Sequence, residues 1–350
     1  MKILYGILVL VPLAIVAKLL HASPILIFCL SAVAIIPLAG VLGSATEELA
    51  THTGPTIGGV LTATLGNFAE LVIASFALKA GLVGLVKASI TGSILGNLLL
   101  VLGAAQLAGG LKYKTQKINP NLAGMSSTLL TVAVLGLVLP ALFHALHPAP
   151  RQAATITMSV WVSGLLILGY LLSLVYSMHT HERLFSESVT QTQATHQPGW
   201  SLRRSMIVLS ATALTIGVLS EILVSSTEAA VKSLGLSEMF VGLILLPIIG
   251  NAAENSSAIL MAMKNRMDLA VGIAVGSSIQ VALLVGPLLV FLGLLLGQPM
   301  DLAFSTMEVA SVALAVGVAS SVMRDAESNW LEGAFLLIAY AAIAVAFFFF

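Results

Sequence analysis

Apolar runs near the length that crosses a bilayer as a helix, about 20 residues, recur from Ile3 to Phe350 with short polar breaks between them. Read against Gly, Pro and charged residues, the runs predict eleven spans, at 3–20, 25–50, 55–79, 82–108, 122–146, 153–178, 205–231, 238–263, 269–296, 302–322 and 330–350. The one long polar stretch, His179–Arg204, reads as a solvated linker or a short amphipathic helix. Lys2 before the first run and Ala22 and Ser23 after it also suit a cleaved leader. A chain with ten further spans needs no cleavage, so the run is kept as a span.

Composition agrees with the pattern. Of 350 residues, 58% are hydrophobic and 9% charged, where a soluble domain has about 25% charged residues. Mean hydropathy is +1.06. An ordinary soluble protein is excluded, and the lipid bilayer is the first expected partner. Net charge is zero and the basic residues are scattered, so no nucleic-acid partner is expected. The single cysteine, Cys29, excludes an internal disulfide and reads as a small core residue. Lys and Arg favour the cytoplasmic side. Ten of the fifteen fall at the N-terminus or after even-numbered spans, which puts the N-terminus and the linker in the cytoplasm and the C-terminus outside.

The polar residues inside the spans repeat. An offset of 184 residues lays Gly66, Asn67, Ala69 and Glu70 onto Gly250, Asn251, Ala253 and Glu254, and Gly92 and Ser93 onto Gly276 and Ser277. Thr46-Glu47 and Thr227-Glu228 match at an offset of 181, three residues out of step. The expected organisation is an N-terminal transmembrane helix at 1–24, a five-helix repeat at 25–178, a cytoplasmic linker at 179–204 and a second five-helix repeat at 205–350. Five crossings per copy invert the second relative to the first. Inverted repeats are a recurring architecture of secondary transporters with a midplane site. The fold class is therefore an all-α polytopic membrane protein.

Glu70 and Glu254 fall near the middle of their spans. A charge there costs about 2.5–3.5 kcal/mol on insertion scales, so each carboxylate needs a cation, a proton or water. Asn67 and Asn251 stand three residues before the glutamates, on the same helix face. Gly66 and Gly250, with Pro247 a turn earlier, weaken the helices, and an unwound membrane turn offers carbonyls to an ion. Two carboxylates, two amides and freed carbonyls suit Ca²⁺, which takes six to eight oxygens, better than Mg²⁺. No Cys or His stands near either motif, against a dedicated Zn²⁺ or copper site.

Ser93, Asn97, Ser277 and Gln280 form a second polar layer, read equally as a lining of the ion path and as interhelical hydrogen bonding; Ser256 and Ser257 are similarly open. Protons and Ca²⁺ compete for the same oxygens, so binding of one excludes the other and antiport follows. The stoichiometry is not encoded. Antiport of Na⁺, K⁺ or another divalent cation, and a passive channel with an acidic ring, are the alternatives. No HExxH or GxSxG string occurs, so an enzyme is not expected. No resident cofactor is expected beside the transported Ca²⁺ and H⁺, and the oligomeric state is not legible.

The strings ATEELATHTGPTIGGVLTATLGNFAELV, GSILGNLLLVLG, PIIGNAAENSSAI, VGSSIQVALLVGP and SNWLEG resemble the Ca²⁺/H⁺ (cation/proton) exchanger family within the cation/Ca²⁺ exchanger superfamily. The resemblance implies eleven spans, two inverted five-span repeats, and Ca²⁺ extrusion from the cytoplasm against proton entry by alternating access in the plasma (inner) membrane. It matches the signature glutamates to Glu70 and Glu254, with Asn67, Asn251, Ser93, Asn97, Ser277 and Gln280 around them. There are departures. Where many relatives carry a strongly acidic linker, this one offers only Glu182 and Glu187 beside three histidines and three arginines. Asn255 stands where some relatives have histidine, and Ala326-Glu327 replaces a Gly-containing turn before SNW. Among the remaining acids, Glu47 and Glu48 either draw Ca²⁺ to the entrance or cap a helix end, the resemblance favouring the first. Glu221 and Glu308 are candidate accessory cation or proton sites.

Overall fold

The computed structural model describes residues 8–53, 55–146, 152–181, 184 and 199–349. Much of the expected linker, with Glu182, Glu187 and His196, lies outside them. In chain order the elements are α1 (Leu10–Leu19), α2 (Pro24–Thr53), α3 (Pro55–Leu65), α4 (Phe68–Lys79), α5 (Val83–Tyr113), β1 (Thr115–Lys117), α6 (Pro120–Leu146), α7 (Ala153–Thr180), α8 (Leu202–Leu234), α9 (Glu238–Gly250), α10 (Ala252–Met263), α11 (Met267–Leu295), α12 (Thr306–Val322), β2 (Glu327–Asn329) and α13 (Trp330–Phe349).

Among the described residues seven of these helices are long and apolar enough to cross a membrane, and eight if α9 and α10, broken at Asn251, count as one span. The other expected spans fall on α1 and α12, which are shorter apolar helices, and on the pair α3 and α4. Large apolar side chains face outward, Trp161 74% and Leu295 84% exposed among them. Lipid, in which every backbone polar group must be satisfied within the fold, accounts for both the exposed apolar surface and the helical content.

Contacts divide the chain into two compact units that each draw on both halves of the sequence: Met1–Ser89 with Gln193–Ala253, and Ile90–Thr192 with Glu254–Phe350. In the first, α2 and α8 lie along one another, with α1 against α2 and α4 against α8. Thr46 and Thr227, the pair matched three residues out of step, are both buried. Each donates its hydroxyl to the carbonyl four residues earlier, at 2.9 and 2.8 Å, a bond that slightly bends a helix. Ser201 caps α8 by accepting from the Arg204 amide, and Gly235 ends it at φ 66°, a left-handed conformation that glycine adopts without strain.

In the second unit α5 and α11 are the inner helices, 72% and 61% buried over their most apolar stretches, against 22% for α7 and α13. Each carries a π-helical turn, Gly96–Val101 in α5 and Val281–Val285 in α11. The repeat offset superposes their ends, since 285 − 101 = 184, the turn in α5 being one residue longer.

The same unit explains SNWLEG as architecture. Ser328 pairs with Gln116 in a two-stranded antiparallel ladder of three residues a side, β1 with β2. This is the one departure from an all-helical reading among the described residues, and it is too short to leave a sequence period. Asn329 Oδ1 accepts from the amides of Leu331 and Glu332, and Glu332 Oε2 accepts in turn from the Asn329 amide, a reciprocal cap on α13. Gly333 lets α13 touch α5: a Cβ there would lie 2.3 Å from Leu107 N and 2.6 Å from Gly103 O. Close backbone approach through small residues is how membrane helices gain packing energy.

Ala326, the residue in place of a turn glycine, has φ 58°. A residue with a Cβ pays roughly 1–2 kcal/mol in that region. Ala326→Gly is therefore expected to stabilise the protein by about 1 kcal/mol, after the entropic cost of glycine is subtracted. A raised midpoint of thermal denaturation in detergent checks this, and an unchanged or lower midpoint contradicts it. Cys29 is exposed rather than a core residue. The turns around it, Ile25–Leu30, are apolar on all sides, so the sequence pattern did not distinguish its faces.

Candidate ion-binding site

Both GN motifs coincide with helix breaks. In the first unit, α3 ends at Leu65, Asn67 has φ −92° and ψ 23°, and α4 starts at Phe68. At the other motif α9 ends at Gly250, Asn251 has φ −97° and ψ 7°, and α10 starts at Ala252. Non-helical dihedrals at the asparagines expose C-terminal carbonyls on one side of each break and N-terminal amides on the other. Glu70 and Glu254 sit in the first turns of α4 and α10, where the positive end of the helix dipole favours a carboxylate.

The first unit assembles one set of these groups. Asn67, Glu70 and Asn251 are buried, at 2%, 8% and 3% exposure, while Gly66 is exposed. Glu70 lies against the break of the other copy: a Cβ on Gly250 would stand 3.0 Å from Glu70 Cγ. Gly250→Ala should therefore push the Glu70 carboxylate by a few tenths of an ångström without disturbing backbone. About a tenfold loss of apparent Ca²⁺ affinity, 1.4 kcal/mol, is expected in transport assays, with the thermal midpoint held. Unaltered affinity would show that Glu70 is not confined there.

The second unit assembles another set around Glu254. Asn97, in the π turn of α5, donates its amide to Ser277 Oγ of α11 at 3.0 Å, and the Ser277 side chain is hydrogen-bonded to Glu254. Nearby Ser278 Oγ reaches the carbonyl of Ile94 at 3.5 Å, at positions again 184 apart. Among the described residues Glu254 Oε2 is buried with no hydrogen-bond partner, as is Asn255 Oδ1. Two hard oxygens without donors, next to each other in the chain, are suited to a cation. Ser93 is also buried, at 2% exposure, and Gln280 is half-buried and hydrogen-bonded to Tyr170. Among the described residues no three His, Cys, Asp or Glu side chains cluster as a metal site. Neutral oxygens would have to complete the shell of any bound cation.

The outlying acids have other partners. Glu308 is 3% exposed. Its Oε1 accepts from the Thr91 hydroxyl at 3.2 Å and its Oε2 from the Ser305 amide at 2.9 Å, while Ser305 Oγ accepts from the Glu308 amide. This is a capping box at the start of α12. The spacing Ser305-x-x-Glu308 is its sequence signal, and the expected accessory ion role overlooked it. Glu48 Oε2 accepts from the Trp200 amide at 3.0 Å, His52 Nε2 meets the Trp200 carbonyl at 2.8 Å, and Arg204 stacks 4.7 Å over the indole. Together these pin the segment before α8 to the end of α2. Glu47 and Glu221 are exposed.

The profile of the sodium/calcium exchanger protein family matches twice, over residues 23–179 and 204–349. A Ca(2+)/H(+) antiporter of Aphanothece halophytica is 43% identical, covering 99% of this chain and 96% of that one. The Ca(2+)/H(+) antiporter ChaA of Bacillus subtilis is 42% identical, covering 97% and 96%. Among solved structures, native YfkE superposes with a TM-score of 0.86 at 38% identity, covering 99% of this chain and 100% of the other.

Proposed function

Because the chain belongs to the sodium/calcium exchanger protein family, we propose that it is a secondary active Ca²⁺/H⁺ antiporter that extrudes Ca²⁺ from the cytoplasm as protons enter. Similarity over nearly its whole length to proteins named Ca²⁺/H⁺ antiporters supports the cargo. The observation that carries the mechanism is the pair of acidic first turns, Glu70 after one helix break and Glu254 after the other. Glu70, Glu254, Asn67 and Asn251 act as cation ligands, assisted by carbonyls at the ends of α3 and α9. Gly66 and Gly250 permit the breaks, while Ser93, Asn97, Ser277 and Gln280 line the path.

Each half of the cycle follows from competition for carboxylate oxygens. Ca²⁺ bound from one side leaves them unable to hold protons, and protons taken from the other expel it. Transport needs only that the loaded forms change access while the bare carboxylates do not, since moving uncompensated charge costs about 2.3 kcal/mol per 100 mV. The two sequence halves, 25–178 and 205–350, act as inverted repeats in this cycle. The protein lies in the plasma (inner) membrane with its N-terminus in the cytoplasm and its C-terminus outside. Glu47 draws Ca²⁺ to the entrance. Glu48, Glu221 and Glu308 are accessory acids, Glu48 and Glu308 also holding local structure.

The test is Ca²⁺ movement in proteoliposomes under an imposed pH gradient. Uptake that reverses with the gradient and is not driven by gradients of Na⁺ or K⁺ is expected. Uptake indifferent to pH would reject the proposal, and Na⁺-driven uptake would replace the counter-ion.

A further inference from the structure

The Tyr170 side chain is 3% exposed in α7, and its phenol is hydrogen-bonded to the side chain of Gln280. A phenol in an apolar interior needs such a partner, because an unsatisfied hydroxyl costs free energy when buried. Gln280 has a particular place: it is the last residue of α11 before the π turn Val281–Val285. One turn earlier stands Ser277, which joins Asn97 to Glu254. Tyr170 itself is held at a fixed depth. On the buried face of α7, Ser159 and Ser163 are both 0% exposed, and Ser159 Oγ accepts from the Leu302 amide at 2.9 Å. The same helix packs on the π turn of α11 and the residues that follow it.

A glutamine amide has a donor end and an acceptor end. Hydrogen bonding to the phenol fixes the plane of that amide, and with it the direction of its carbonyl oxygen, which is a hard ligand for Ca²⁺. Left free, the side chain would lose rotamer entropy on meeting each ion. We propose that Tyr170 is a positioning residue of the exchanger, holding Gln280 with its carbonyl oxygen presented to the passing Ca²⁺. Tyr170 touches no ion itself. The inference rests on the antiport reading above and adds a residue from outside the duplicated polar motifs.

Tyr170→Phe removes only the hydroxyl, so the packing of the ring is kept. Measured as pH-driven Ca²⁺ uptake in proteoliposomes, it should raise half-saturating Ca²⁺ at least fivefold with maximal rate changed less than twofold. Gln280→Ala should raise it at least as far, and the double variant no further than Gln280→Ala alone, since residues acting through one another are non-additive. Thermal midpoints of all variants separate loss of fold from loss of affinity. Unchanged half-saturation in Tyr170→Phe, or multiplication of the two effects in the double variant, would overturn the inference while wild-type exchange continues. Absence of exchange by wild-type protein would instead remove the antiport reading, and this inference with it.

Discussion

Glu254→Gln is expected to abolish proton-coupled Ca²⁺ uptake in proteoliposomes while the protein purifies and melts as wild type does. Glutamine keeps the shape and can still accept from Ser277, the partner of the native side chain. What it lacks is charge opposite the cation. Removing one member of a buried charge pair costs about 2–5 kcal/mol, which corresponds to a loss of roughly 30-fold to several thousand-fold in affinity. Glu70→Gln should behave alike, because its residue has the same place in the other broken helix and is 8% exposed. Uptake at the wild-type rate in either variant would remove that glutamate from the ion path.

A second large effect is expected far from any carboxylate. Gly333→Ala puts a Cβ 2.3 Å from Leu107 N and 2.6 Å from Gly103 O, both backbone atoms of α5. No rotamer change relieves that collision, so α13 must move off α5. Gly110 meets the same helix pair, a Cβ there standing 2.3 Å from Trp330 N, so the strain has no easy outlet. A loss of about 3 kcal/mol, the upper end for overpacking, should appear as poor yield and a lowered thermal midpoint. Gly317→Ala is the control, because an added Cβ there meets nothing within 4 Å. Equal stability of the two variants would refute the close crossing.

Much of the architecture was legible because lipid imposes long apolar helices, and because a duplicated acidic motif stands out against an apolar background. The breaks at Asn67 and Asn251 fall beside the glycines that announced them. The capping role of Glu308 was harder to read. It sits three residues after Ser305, the spacing of a capping box, but inside an apolar stretch an acid draws attention to ions first. Which helices pack together was not legible either: α2 and α8 lie 148 residues apart from end to start, between Thr53 and the Ser201 cap, and nothing in the pattern of either helix names the other as its partner. Periodicity names a buried face only when another face meets water. Tyr170 carried no signal for the same reason, being one of three aromatic residues in an apolar span.

The matched π turns set a rule about length. A residue added to or removed from a helix rotates everything beyond it by about 100°, and a π turn is the fold's own accommodation of one surplus residue. Deleting a single residue from Gly96–Val101 would let α5 relax into ordinary α-helix. Gly103 and Gly110, beyond the turn, would then keep their direction toward α13, whereas the same deletion in an ordinary turn of α5 would swing them away from it. Loss of one residue should therefore be tolerated better inside these stretches than in the plain helix around them.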